Sequence, residues 1–216
     1  MQDIKSYSYK DIKFKSFNNL EKDLNIMPGY FVKYIPKKGD VVIDCGAYVG
    51  CFTIIASKLV GIEGKVIALE PDKVSYRKLL ANIELNNLNN VVAINKGAFD
   101  KDAKQGFYER TSRGSSFIFE SALPKKEVDV IKLDTLQKKQ NLRKIDFVKM
   151  DVEGSELYAL RGAKQVLQNF KPNLAIATYH VVEGKTTDKP VETFLQKLNY
   201  KTETGFLQHR VTYGWK

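Results

Sequence analysis

The sequence predicts an α/β domain: a mostly parallel sheet with helices on both faces. Two observations carry that reading. Short apolar runs rich in β-branched residues recur at 41–43, 65–69, 91–94, 145–150 and 172–179, as expected of strands buried on both faces. Glycine, asparagine or acidic turns follow most of them, with helix-length stretches behind. The length of 216 residues fits one such domain with a full core and little left for a second.

Composition narrows the class. Hydrophobic residues make up 43% and aromatics 11% of the chain, as in a soluble globule, and no apolar run reaches the ~18 residues of a membrane span. Met1-Gln-Asp-Ile-Lys-Ser-Tyr7 lacks an apolar stretch, so the expectation is a cytoplasmic protein without a secretory signal. Cys45 and Cys51 fall inside the central motif and are expected to be buried thiols. The net charge of +10 would attract acidic partners, but the lysines are spread along the chain rather than gathered into one basic tract. Nucleic acid is therefore not the favoured partner, and the oligomeric state is left open.

Residues 1–40 read as a cap segment. Tyr7, Tyr9, Phe14, Phe17, Tyr30, Phe31 and Tyr34 supply apolar contacts, a helix starts within 18–24, Met27-Pro-Gly29 breaks the chain, and 30–35 forms a short helix. The first strand, 41–43, ends at Asp44, a charge that marks the carboxyl end. Gly46 and Gly50 then make a tight turn into a helix over 52–59. Such a turn lets backbone approach a ligand, and the helix N-terminus offers free N–H groups. The dinucleotide fingerprint G-x-G-x-x-G is absent. Asp44-x-Gly46-x-x-x-Gly50 instead resembles the first motif of class I S-adenosylmethionine-dependent methyltransferases.

The second strand ends at Glu70-Pro71, 20 residues past Gly50. A carboxylate there is placed to accept both hydroxyl hydrogens of a ribose. A helix over 72–86 follows, stopped by asparagines, and a third strand covers 91–94. In class I methyltransferases the next loop contacts the adenine, so the resemblance implies that role for Gly97, Ala98 and Phe99. Residues 104–133 read as short strands at 106–110, 115–119 and 127–131, a small β-rich insertion before the fourth core strand. Its polar cluster, 111–116, faces solvent or substrate.

The fourth strand carries the most specific signal. Leu133-Asp134, then Ile145-Asp-Phe-Val-Lys149-Met-Asp151-Val-Glu153-Gly154-Ser-Glu156, then Leu160-Arg-Gly162-Ala163 resembles the signature of the FkbM-type methyltransferases. Four charged residues at fixed spacing around a strand end rarely arise by chance. The resemblance spans roughly 40–180 and implies a Rossmann-like class I methyltransferase domain over 41–216. It also implies S-adenosyl-L-methionine as cofactor and O-methylation of a small molecule, sugar or polysaccharide. The implied cofactor contacts are Asp44, Gly46, Ala47, Tyr48, Gly50, Glu70, Pro71, Ala98, Phe99, Asp151 and Glu153. Asp151 would accept from the methionine amino group, orient the acceptor or act as base. Glu156 at a helix N-terminus reads equally as a cap.

A helix over 157–170 and a fifth strand ending at His180 follow. The family shows Glu-x-His here, whereas this chain has Thr178-Tyr179-His180, so a relay depending on that acid is in doubt. His180 is the general-base candidate beside Asp151. No third ligand joins Asp151 and Glu153 in the sequence, so no metal is expected. A polar loop, a helix over 190–198 and a closing hairpin over 200–213 complete the chain, with His209 expected far from the chemistry. Two other readings stand beside this one. The charge and Asn82-Ile-Glu-Leu-Asn86 favour a tRNA methyltransferase, although N-P-P-Y/F is absent. The third is a non-catalytic module that keeps the fold.

Overall fold

The computed structural model describes residues 3–108, 116–118, 125–205 and 209–216. The chain opens with a hairpin, β1 (Lys5–Tyr9) and β2 (Ile12–Ser16), where the sequence had suggested only aromatic contacts. Helix α1 (Glu21–Tyr30) then runs through Pro28. The expected break at 27–29 and helix at 30–35 are therefore both corrected. Proline costs a helix interior about 3 kcal/mol, but it stands in the last turn here. Met27 and Tyr30, both 2% exposed, seat that turn in a shared core with Phe52 and Ile55.

Strand β3 (Val41–Cys45) leads through the glycine turn to α2 (Cys51–Val60), and β4 (Lys65–Leu69) to α3 (Lys73–Leu85). Asp72 caps α3 by accepting from the Ser75 backbone N–H at 2.7 Å. After β5 (Val91–Ile94) come β6 (Gly97–Ala98), β7 (Ala103–Tyr108) and β8 (Lys125–Ile131), which pair in the order β6-β8-β7 as a separate three-stranded sheet. This is the expected β-rich insertion. Much of it, including 109–115 and most of the polar cluster, lies outside the described residues. Helix α4 (Leu133–Lys139) follows, unread in the sequence because only Leu133 and Leu136 mark its buried side.

Next come β9 (Phe147–Met150), α5 (Glu156–Arg161) and α6 (Lys164–Asn169). The single helix expected over 157–170 is split, and the reason is local. A Cβ on Gly162 would stand 2.0 Å from the Phe99 carbonyl oxygen. The Gly162 carbonyl accepts from Asp134 N–H at 3.0 Å. The Asp134 carboxylate accepts from Gln165 N–H at 3.2 Å and Val166 N–H at 2.9 Å, capping α6. The L-D and L-x-G-A parts of the signature are thus two sides of one structural joint. The chain ends with β10 (Asn173–Ala177), a small hairpin β11 (Val181–Val182) and β12 (Lys185–Thr186), α7 (Asp188–Gln196), β13 (Lys201–Gly205) and β14 (Val211–Trp215).

The central sheet has the order β13-β14-β10-β9-β3-β4-β5, with β14 antiparallel to both neighbours and the other pairs parallel. Alternating residues face opposite layers, so Val42 and Val66 join the core under α1 and α2, while Ile43 and Ile67 join the core of α4 to α7. From β3 the chain builds first toward β5 and later, through β9, in the other direction. The strand order therefore reverses between β3 and β9, and ligands of open α/β sheets bind at the carboxyl ends of such a switch point.

Candidate active site at the switch point

The glycine turn closes against β9. Gly46 has φ 78, and a Cβ there would lie 1.9 Å from the Asp151 carbonyl oxygen. Only glycine satisfies both the left-handed backbone and that approach. Gly50, at φ 97, precedes α2, and a Cβ there would meet Leu79 at 2.7 Å. Neither end of this turn tolerates a side chain.

Asp44 is fully buried and turned away from the cleft. Its Oδ2 accepts from the Thr53 hydroxyl at 2.6 Å, and its Oδ1 lies 3.0 Å from Lys149 Nζ. Lys149 Nζ also donates to the Gly46 carbonyl at 2.7 Å. Burial opposes its charge, but Asp44 and Asp151 outweigh that and hold the Lys149 pKa above the ordinary value. This ion pair clamps the turn from beneath. Asp44, expected among the cofactor contacts, is thus an anchor for the loop, because both carboxylate oxygens are engaged inside the fold.

The cleft above the turn is lined by Gly46, Tyr48, Glu70, Pro71, Asp72, Ser75, Gly97, Ala98, Phe107, Phe117, Asp151, Val152 and Glu153. Glu70 stands at the end of β4, with Oε2 accepting from Tyr48 N–H at 2.7 Å and Oε1 from Asp72 N–H at 2.9 Å. Burial pushes its carboxyl up to about 7, against the pull of those two backbone N–H groups. Two lone-pair positions of that carboxylate remain for a ligand diol. Ala47 borders an adjoining cavity beside Tyr30, Tyr48, Lys149 and Asp151.

Phe99 is a correction. It is 4% exposed and stacks on Tyr158, with centroids 4.7 Å apart and planes at 4°, so it belongs to the core beneath the cleft. Phe107 and Phe117 form the apolar wall instead. The sequence named neither as a site residue, because they reach the cleft only through the packing of the side sheet, where both join Phe99 and Val130 in one cluster.

At the far end of the cleft Asp151, Glu153, Glu156 and His180 converge, with the hydroxyls of Tyr30 and Tyr179 beside them. Asp151 Oδ2 accepts from the Tyr30 hydroxyl at 2.8 Å, and Oδ1 from the Tyr179 hydroxyl at 3.3 Å. His180 Nε2 lies 3.2 Å from Glu153 Oε2 and 3.6 Å from Asp151 Oδ1, while Nδ1 lies 2.9 Å from Glu156 Oε1. Glu156 is fully buried and also accepts from Gly154 N–H at 3.1 Å. It is therefore a histidine-orienting carboxylate as well as a residue of the first helical turn. Burial resists charge on His180, but Glu153 and Glu156 overcome it and push the pKa up to about 10. A neutral His180 at neutral pH, as a free base would require, is not what this surrounding gives. Burial tends to raise the Asp151 carboxyl, yet Lys149, His180 and the Tyr30 hydroxyl hold it below the ordinary range.

His209 also corrects the sequence reading. Its ring lies 4.9 Å from that of Tyr30 and 5.7 Å from that of Tyr179, beside Asp151 rather than far from it. The reason is the antiparallel β14, whose Val211 pairs with Ala177 at the carboxyl end of β10. His209, two residues ahead of Val211, is therefore held at the site's edge.

Residues 44–202 match the family described as Methyltransferase FkbM domain. The chain belongs to this family. A curated relative, Methyltransferase 1 of Beauveria bassiana (strain ARSEF 2860), is 26% identical over 165 residues, covering 66% of each chain. The solved FkbM methyltransferase from Methylobacillus flagellatus KT superposes with TM-score 0.64 and 22% identity, over 86% of this chain and 46% of that one. This chain thus spans about half of that FkbM protein and two thirds of the fungal relative. Aeropyrum pernix fibrillarin, solved with natively bound S-adenosyl-L-methionine, shares the fold with TM-score 0.61 and 15% identity, over 97% of this chain and 81% of its own. The architecture is that of class I methyltransferases, as the glycine turn had implied. Among the described residues no helix is long and apolar enough to cross a membrane.

Proposed function

We propose that this FkbM domain transfers the methyl group of S-adenosyl-L-methionine to a hydroxyl oxygen on a small molecule or glycan. The observation that carries the reading is the meeting on one cleft of two acidic groups from different strands: Glu70 after β4, and Asp151 with Glu153 after β9. The cofactor fits what is present. The Gly46 turn admits a close backbone approach, Glu70 keeps acceptor positions for the ribose hydroxyls, and Pro71, Ala98, Phe107 and Phe117 offer apolar walls to the adenine. When bound, it supplies a methyl group on a positively charged sulfur.

The chain's own residues then position the acceptor and handle its proton. Asp151, ionised and fixed by the Tyr30 hydroxyl, accepts a hydrogen bond from the acceptor hydroxyl. His180 acts through Asp151 and Glu153, holding their carboxylates in place, rather than as a lone base. Tyr179, 39% exposed, stands over His180 with centroids 4.1 Å apart and presents a flat face for a sugar or aromatic ring. In this reading residues 1–40 complete the site through Tyr30. A second reading, methylation of RNA, is favoured by the net charge of +10.

The deciding experiment supplies methyl-labelled S-adenosylmethionine with three acceptor pools: hydroxylated aromatics, sugars and polysaccharides, and unmodified tRNA. Label in either of the first two supports the proposal. Label in tRNA alone, with binding that weakens steeply as salt rises, replaces it with the second reading. Calorimetry showing no binding of the cofactor would remove both.

A further inference from the structure

The geometry points to a divalent-cation site formed by His180 Nε2, Asp151 Oδ1 and Glu153 Oε2, at which the bound cation would also hold the acceptor's hydroxyl oxygen. The inference rests on the methyltransferase reading only for that last role.

The donor set is the first support. These three atoms all lie within 4.8 Å of one another, with Nε2 3.2 Å from the Glu153 oxygen and 3.6 Å from the Asp151 oxygen. An octahedral shell with bonds of about 2.1 Å sets adjacent ligands about 3.0 Å apart and opposite ligands about 4.2 Å apart. The two histidine spacings, 3.2 and 3.6 Å, exceed the adjacent spacing by about 0.2 and 0.6 Å, a gap that small rotations of the two carboxylates would close. One imidazole and two carboxylates suit Mn²⁺ or a neighbouring borderline-hard ion better than a soft one.

The second support is what stands behind the histidine. Glu156, fully buried, holds Nδ1 at 2.9 Å, so the ring presents Nε2 to the two carboxylates. A carboxylate behind a histidine is the usual outer support of a metal-bound imidazole, fixing its tautomer and orientation. The remaining Glu156 oxygen is buried and has no hydrogen-bond partner among the described residues. A carboxylate confined in that way costs stability unless positive charge lies close by.

Charge balance is the third. Asp151, Glu153 and Glu156 gather three carboxylates around one histidine, and Lys149 is shared between Asp44, at 3.0 Å, and Asp151. A dication beside Nε2 would offset that excess. The sequence hid this set because His180 lies 27 residues beyond Glu153 and joins it only through the pairing of β10 with β9.

Coordination through Nε2 releases any proton on that nitrogen to solvent, leaving open positions for the acceptor. In the transfer, the acceptor hydroxyl gives up its proton through its hydrogen bond to Asp151 and from there to water. Its oxygen lone pair forms the O–CH₃ bond as the S–CH₃ bond breaks, and that bonding pair stays on sulfur in S-adenosylhomocysteine. The cation would aid the step by lowering the hydroxyl's pKa and fixing its direction.

The test uses the full chain, stripped with chelator and titrated with MnCl₂. The loss of the free-ion electron-resonance signal counts bound ions, and calorimetry gives the affinity. The expectation is one ion per chain, with affinity reduced at least tenfold by Glu153→Gln and by His180→Gln. Glu153→Gln lies on a partly exposed turn and keeps the test valid if His180→Gln fails to fold. Less than a tenth of an equivalent bound, or equal affinity in Glu153→Gln, would overturn the site. S-adenosylmethionine binding in chelator is measured in parallel. Cofactor binding without Mn²⁺ binding removes the cation site and leaves the methyltransferase reading standing. Mn²⁺ binding without cofactor binding does the reverse.

Discussion

Glu70→Gln tests the cofactor assignment most directly, because the structure fixes both a sign and a size. Glu70 is 6% exposed, and burial pushes its carboxyl from 4.5 to about 7. That difference, at 1.36 kcal/mol per pH unit, corresponds to about 3 kcal/mol. The folded pKa lies above the unfolded one, so the folded chain binds this proton more tightly. The stability linked to it is fully present below about pH 4.5 and is lost as the pH rises through about 7. Urea unfolding of wild type and Glu70→Gln across that range isolates the effect in the difference between them. Wild type should fall relative to the variant by about 3 kcal/mol. Cofactor binding runs the other way, since the ionised carboxylate is the form that accepts the ribose hydroxyls. Wild-type affinity should rise with pH up to about 7 and then level off, a dependence Glu70→Gln should lack. A hydrogen bond to a charged group contributes about 1.5–3 kcal/mol, so the variant should bind S-adenosylmethionine roughly ten- to a hundredfold more weakly. Equal affinity in the two proteins, or a wild-type affinity flat across this range, would refute the reasoning.

Three further outcomes follow from the same site. Lys149→Met leaves Asp44 buried opposite only the Thr53 hydroxyl, which should cost about 3–5 kcal/mol. At roughly 2–4 °C per kcal/mol, calorimetry should show a clearly lower melting temperature, partly restored by adding Asp44→Asn. Gly46→Ala places a methyl 1.9 Å from the Asp151 carbonyl. It should abolish cofactor binding in calorimetry, and normal binding would mean that the turn is not the cofactor's cradle. Tyr30→Phe removes the 2.8 Å hydrogen bond to Asp151, worth about 1 kcal/mol or somewhat more. Turnover should fall with little change in cofactor affinity, whereas lost cofactor affinity would place Tyr30 on the other side of the cleft.

The parallel core was legible in the sequence because its signal is local. A strand buried on both faces must be apolar along its length, as at Val42, Ile43, Val66 and Ile67, and a turn that meets backbone must contain glycine, as at Gly46. The D-x-E-G-x-E string fixed where the acids would stand. The N-terminal hairpin was harder to see, since its pattern competes with the aromatic residues it carries. Helix α4 offers only two buried leucines, too few to set a period.

By itself, then, the sequence determined the family, the α/β layering, and the placement of Glu70, Asp151 and His180 at strand ends. Each of these rests on residues close together in the chain. Only the tertiary structure decided what those side chains face. Asp44 turned inward to Lys149, Phe99 gave way to Phe107 and Phe117, and Glu156 came to hold His180. Tyr30 reached Asp151 from 121 residues away, and His209 was carried to the site's edge by the antiparallel β14. Such contacts depend on strand order and on which layer each helix joins. Those follow from burying the whole apolar surface at once, and no local pattern encodes them.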